Sequence, residues 1–291
     1  MLPVIWHHGD NFWDCALPRY ILDSVCECKH AVGLASVPML EDDLGVIVIP
    51  GRHSNVQVQY DHLCDAGSYF KKVIYVIIGD EEGLFQADKL EHPHMTTWWF
   101  MPPFHPKQKV DRVAPNGWPS DAPFLIELAK KYSFGERPYD WNFMGQVTHS
   151  RRIECVNAVI GLRNGRLLRT EGFTKGEPRE KYYATMVRSK TVLCPSGPCT
   201  PDSFRFAEAL ESGCIPIVDN LTQNPTYPGG YWNYIFSSQQ FPFPVIDDWT
   251  LLREVMYSYL KDFPARMHEC QAWWLAQKYR MIAEMKEDLY G

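Results

Sequence analysis

Unbroken apolar runs, rather than alternating ones, dominate the first third of this chain. Residues 4–6, 45–50 and 73–78 are almost wholly aliphatic or aromatic, and 97–101 reads Thr-Trp-Trp-Phe-Met. Strands covered by helices on both faces carry such runs, because neither side-chain direction meets water. A further strand is predicted over 32–37. Helical spacing is strongest over 18–29 and weaker over 55–66. Residues 102–123 are rich in Pro, Gly and Trp without a period, and they read as an irregular crossing. A short amphipathic helix follows over 122–132, and then Gly135, Pro138 and Tyr139 interrupt the pattern. The interruption sets a predicted boundary between a domain of residues 1–135 and one of 136–291.

Beyond it the strand–helix alternation is cleaner. Strands are predicted at 141–144, 167–170, 191–194 and 215–218. Helices are predicted from Ser150, over 179–189, after Ser203, over 250–261 and over 265–288. No internal repeat or low-complexity tract appears. The fold class is therefore α/β, in two units.

Composition narrows the class. With 291 residues, 45% of them hydrophobic and 22% charged, the chain has material for two packed α/β domains. No apolar run approaches the roughly 20 residues that span a bilayer. The N-terminus lacks the basic region of a signal peptide, so a cytoplasmic protein is expected. Nine scattered cysteines, without zinc spacing to histidine, read as reduced thiols, and no metal site is expected. The net charge of −6 argues against a dedicated polyanion binder. Residues 151–190, however, hold ten Lys or Arg against four acids. That local excess suits a nucleotide diphosphate or, equally, a nucleic-acid backbone.

The most informative chemistry lies in residues 194–218. A short strand ends in the small-residue loop Ser196, Gly197, Pro198 and Thr200, a helix opens at Ser203, and Gly213 closes it before a second buried strand. Such a loop presents unpaired N–H groups and a positive helix end, which suit a phosphate. Arg205 and Glu208 stand three residues apart on that helix, a cation for a diphosphate and a carboxylate for vicinal hydroxyls. Glu208 is expected to face ligand rather than core.

Pro195-x-Gly197, Ser203-x-Arg205, Glu208-Ala-Leu210 and Gly213-Cys-Ile-Pro216 together resemble the signature of exostosin-like glycosyltransferases. The resemblance implies a GT-B architecture of two facing Rossmann-like domains with a C-terminal helix crossing back. It also implies a nucleotide-sugar, UDP-sugar favoured, held by the C-terminal domain without a divalent ion or separate cofactor. The Glu-x7-Glu pattern of other GT-B enzymes is half present, since the position eight residues before Glu208 is Thr200. No Asp-x-Asp metal clamp appears.

A second constellation spans 143–152. Gly145 lets a backbone turn closely at a strand's carboxyl end, where doubly wound sheets bind ligands, and Arg151 and Arg152 follow at a helix start. The helix dipole disfavours cations there, so an anion is expected, and Arg151 with Arg205 is expected to neutralise the departing diphosphate.

On the acceptor side, the loop after the first strand offers a base for the attacking hydroxyl. Asp10 is the first candidate, His8 and His7 follow, then Asp14, with Asp80 and Glu81 after a later strand as a secondary set. Trp6, Trp13, Trp98 and Trp99 are candidates for an apolar platform. The function expected is inverting hexosyl transfer to a hydroxyl acceptor. That acceptor is a glycan or lipid-linked saccharide, or a hydroxymethylated pyrimidine of phage DNA. The alternative is a nucleotide- or glycan-binding module without turnover.

Overall fold

The computed structural model describes residues 1–7, 13–39, 42–51, 60–102, 110–132, 137–172, 175–220, 230–238 and 240–291. In the first half, β1 (Leu2–Trp6), α1 (Ala16–Val25), β2 (Cys28–Val32), β3 (Leu44–Pro50), α2 (Tyr60–Gly67), β4 (Lys72–Ile78), β5 (Met95–Phe100) and β6 (Arg112–Ala114) follow in order. Their sheet runs β2-β1-β3-β4-β5-β6, and every neighbouring pair is parallel. The unbroken apolar runs are explained by two cores. Val46, Val48, Ile74 and Val76 enter the one on one face, while Ile47, Ile49, Val73 and Ile77 enter the one on the other.

The second half comprises α3 (Ala122–Tyr132), β7 (Tyr139–Gln146), α4 (Ser150–Ala158), β8 (Gly165–Thr170), α5 (Arg179–Val187), β9 (Ser189–Cys194), α6 (Phe204–Glu211), β10 (Ile215–Asp219), α7 (Tyr231–Phe236), β11 (Val245–Ile246), α8 (Leu252–Leu260) and α9 (Phe263–Tyr290). Its sheet is also all parallel, in the order β11-β10-β9-β7-β8. Helix α3 packs on α5, and so lies against the elements of the second sheet.

Several local expectations are corrected. The strand expected over 32–37 lies earlier, at Cys28–Val32. Gly33 then turns the chain at φ +82°, and Leu34–Met39 form a 3-10 helix. Helix α1 correspondingly stops at Val25, because Cys26 is extended. Strand β2 is the sheet's edge, and its exposed Lys29 and half-buried His30 hide the strand pattern. The crossing expected over 102–123 contains β6, only three residues long, and both α7 and β11 went unanticipated. Trp6, Trp98 and Trp99 are 1%, 0% and 2% exposed, so they pack the first sheet and offer no sugar platform.

Helix α9 joins the halves. Pro264 lies in its first turn, where a missing N–H costs nothing. Trp273 and Trp274 enter an aromatic cluster with Phe206, Trp232 and Phe243 of the second half. Glu211 of α6 accepts from Trp274 Nε1 and from Lys278 Nζ, each at 2.7 Å. Further on, α9 packs against α1. In its last turn Asp288 accepts from Trp98 Nε1 at 2.8 Å and from Arg112 Nε at 3.1 Å. Among the described residues, no helix is long and apolar enough to cross a membrane.

Candidate active site

In each sheet the chain winds first to one side and then to the other, leaving a switch point beyond the carboxyl ends of two adjacent strands. These are β1 and β3 in the first sheet and β7 and β9 in the second. The loops after β7 and β9 are the two that the sequence singles out. A cleft of about 340 Å³ opens there, within the range of small-molecule sites. Met144, Gly145, Gln146 and Arg152 line it from the β7 side, and Ser203, Arg205 and Glu208 from α6.

Arg205 is set by contacts across the sheet. Its guanidinium carbon stands 5.1 Å from the Phe143 ring centre, and Nη2 donates to the Met144 carbonyl at 3.2 Å. A Cβ on Gly145 would lie 2.5 Å from Nη2, so this glycine makes room for the arginine. Nε and Nη1 of Arg205 are buried and donate to nothing among the described residues. Arg152 donates from Nη1 to the Gln146 carbonyl at 3.2 Å, while its Nε is buried without a partner. Burial and the neighbouring Arg205 pull the Arg152 guanidinium down to about 10, against the opposing charge of Glu81. Two desolvated cations with unused donors face one cleft. An anion is what satisfies them.

Arg151 plays another part. It does not line the cleft; its Nη2 donates to the carbonyls of Gly197 and Pro198 at 2.8 and 3.1 Å, pinning the loop after β9. His149, unnoticed in the sequence, sits at the N-cap of α4 with both ring nitrogens buried and unpartnered among the described residues. Burial, with Arg152 and Arg151 beside it, lowers it to about 4, so the ring is neutral near pH 7.

The loop's hydroxyls are largely committed to the fold. Ser196 Oγ donates to the carboxyl of Asp219, at the end of β10, and Ser196 N donates to the same group at 3.3 Å. Thr200 is fully buried, with its hydroxyl 3.4 Å from the Asp202 carbonyl. The Ser203 hydroxyl is different. It occupies the N-cap of α6 yet caps nothing, and its buried Oγ has no partner among the described residues.

Glu208 departs from expectation. It borders the cleft but is only 4% exposed, and the hydroxyls of Tyr182 and Tyr183 donate to Oε2 at 2.7 Å and to Oε1 at 2.6 Å. Burial pushes its carboxyl up, opposed by both tyrosines and by Arg205. Arg179 extends the chain, donating to Tyr183 Oη and to Asp121. Removing the carboxylate therefore strands two donors, the buried Tyr183 hydroxyl and the half-buried Tyr182 hydroxyl. Glu208→Ala is expected to cost about 2–4 kcal/mol of stability, and Glu208→Gln, which keeps one acceptor, about half that. Chemical denaturation of the two variants checks this; equal and negligible losses would rule out the tyrosine clasp.

Of the base candidates, His8 and Asp10 lie outside the described residues. His7 follows β1 at the first sheet's switch point, its backbone N–H donating to the Val48 carbonyl at 3.0 Å. Asp14 sits beneath the turn after β4, its Oδ2 2.6 Å from where a Cβ on Gly79 would stand. Asp80 is fully buried and closes its own turn, accepting from Leu84 N at 2.9 Å and Phe85 N at 3.0 Å. Burial raises it to about 6 against those bonds. Glu81 instead reaches across: its Oε2 lies 3.7 Å from where a Cβ on Gly197 would stand. A second tie between the halves joins Asn116 N to Asp202 Oδ2 at 2.6 Å.

The described residues contain one group with metal-ligand proximity, Asp23, Cys28 and His30. Its chemistry does not suit an ion. The Trp6 indole N–H can only donate, so His30 Nδ1 accepts at 3.0 Å and Nε2 carries the proton facing Asp23 at 2.9 Å. Burial, with Cys26 and Asp23 nearby, pushes the Cys28 thiol up to about 12.

Two parallel α/β units, with a cation-lined cleft at the second unit's switch point, have the layout of the GT-B fold. Residues 125–285 match the family model of the RXYLT1 C-terminal domain, and the chain belongs to that exostosin-like family. Among solved structures it is similar to Anabaena Alr3699/HepE in complex with UDP and glucose. That match has 10% identity, covers 99% of each chain and has a TM-score of 0.53. The same protein in complex with UDP-glucose matches at 10% identity over 99% of this chain and 100% of that one, with a TM-score of 0.49. At this identity the likeness is one of fold. No curated protein matches the sequence.

Proposed function

We propose that this protein transfers a hexose from a UDP-sugar to a hydroxyl acceptor, with inversion and without a bound metal ion. The observation that carries the reading is the Arg205 guanidinium, buried with two donating nitrogens unused beside Arg152 in the cleft. These cations neutralise the diphosphate as it leaves, taking the place of a divalent ion. The loop of Ser196, Gly197 and Thr200, pinned by Arg151, does not itself line the cleft but leads into Ser203, which does. Ser203 Oγ and His149 add unused polar atoms, and Glu208 accepts from ribose hydroxyls through the lone pairs its tyrosines leave. HepE was crystallised with UDP-glucose, which makes that donor the first to test.

In this reading the second half, with α3 included because it packs on α5, holds the donor, and the first half holds the acceptor, so the division falls earlier than the predicted 135/136. The base is drawn from the residues that follow β1 in the sequence, Asp10 first and then His8 and His7. The acceptor is a saccharide or a hydroxymethylated pyrimidine in DNA, met in a cytoplasm. Incubating radiolabelled UDP-glucose with glycan and modified-DNA acceptors, with and without EDTA, tests the reading. Label should pass to an acceptor at nearly full rate under chelation. Activity abolished by EDTA and restored by manganese would overturn the metal-free mechanism.

A further inference from the structure

We propose that Glu81 is a charge gate on the donor cleft, weakening the hold on free nucleoside diphosphate more than on the sugar-bearing donor, and so hastening product release. The inference rests on the donor reading above. Glu81 follows β4, and the turn that carries it is fixed by the Asp80 carboxyl on Leu84 N and Phe85 N. From that fixed base the side chain crosses between the halves to Gly197, where its Oε2 stands 3.7 Å from the Cβ position. The Gly197 carbonyl is held by Arg151, and the next residue, Arg152, lines the cleft within the field of Glu81. A carboxylate from the acceptor half is thus placed beside the cleft, close enough for its charge to act on Arg152, one of the cations that would receive phosphate.

Its effect depends on the charge of what binds. In transfer, the acceptor oxygen bonds the anomeric carbon and gives its proton to the base. The bond from that carbon to the terminal phosphate oxygen breaks, and its electron pair leaves with the diphosphate. The sugar diester carries two negative charges. The freed terminal phosphate, whose second ionisation lies near pH 6, adds a third at neutral pH. That charge develops where the sugar was attached, and in the proposed binding mode this end lies by Arg152, the cation that feels the charge of Glu81. Repulsion at partly buried distances therefore falls harder on product than on donor.

Calorimetric titration of UDP and UDP-glucose into wild type, Glu81→Gln and Glu81→Asp tests this. Glu81→Gln should tighten UDP about tenfold and UDP-glucose by less than about threefold. Product inhibition of transfer should strengthen in parallel. Glu81→Asp, which keeps the charge, should hold the wild-type ratio. Lowering the pH to 5.5 should shrink the discrimination more in wild type and Glu81→Asp than in Glu81→Gln, a difference that a merely structural side chain would not produce. A wild type that binds both ligands, with a ratio unmoved by Glu81→Gln, overturns the gate alone. Binding of neither ligand by wild type overturns the donor reading and the gate with it. A hundredfold fall in turnover with an unmoved ratio overturns the gate by making Glu81 the acceptor's base.

Discussion

Arg205→Ala is expected to lower sugar transfer by about a hundredfold to a thousandfold, the scale of losing one preorganised charge stabiliser at a leaving group. The fold should survive, because the guanidinium makes one long bond to the Met144 carbonyl and a ring contact with Phe143. Its Nε and Nη1 donate to nothing among the described residues. Added magnesium or manganese should not restore the rate, since no metal-ligand cluster lies at the cleft among the described residues. Arg205→Lys should recover only part of it, because an ammonium keeps the charge but loses the planar fork that meets two phosphate oxygens. Single-turnover kinetics with UDP-glucose, beside a circular dichroism spectrum of each variant, checks this. A folded Arg205→Ala variant that transfers at the wild-type rate would remove Arg205 from the mechanism.

Asp219→Ala should produce the largest loss of stability, about 3–5 kcal/mol. The Asp219 carboxyl is fully buried, and it accepts from Ser196 Oγ, from Ser196 N and from Trp249 Nε1 at 2.7 Å. Three buried donors lose their acceptor together, each loss costing about 1–3 kcal/mol before relaxation. The residue ends β10 and clamps the first turn of the loop after β9, so function should suffer as well. Nucleotide affinity should fall even at temperatures where the variant remains folded. Asp219→Asn retains one acceptor and should lie between. Denaturant titration of the three proteins gives the order, and coincident midpoints would show the clamp to be energetically idle.

The chain announced what is local. The loop between β9 and α6 and the turn at Gly213 rest on glycine, proline and helical spacing within some two dozen residues. Helix α9 was readable almost to its ends. Strand β6 was not, because three residues hold no period, and β2 was misplaced because an edge strand need not be apolar. Gly145 was singled out, yet its reason lies 60 positions away in Arg205, whose Nη2 would meet a side chain there at 2.5 Å. The clasp on Glu208 comes from Tyr182 and Tyr183, an ordinary aromatic pair until α5 is laid against α6. Arg151 and Arg152 were read as one kind of residue. A helix turns about 100° per residue, so one pins a loop while the other faces the cleft.

The fastening of α9 bears on how the cleft breathes. The chain passes from one sheet to the other through residues 115–121, and α9 returns from its aromatic seat in the second half to Trp98 and Arg112 in the first. Two bodies tethered at a single point swing and twist freely. Tethered at two, they keep one soft motion, rotation about the line through both attachments. Any parting of the halves would then run as the opening of a book along its spine, with the Asn116–Asp202 bond at that spine, and the pages would stay in register.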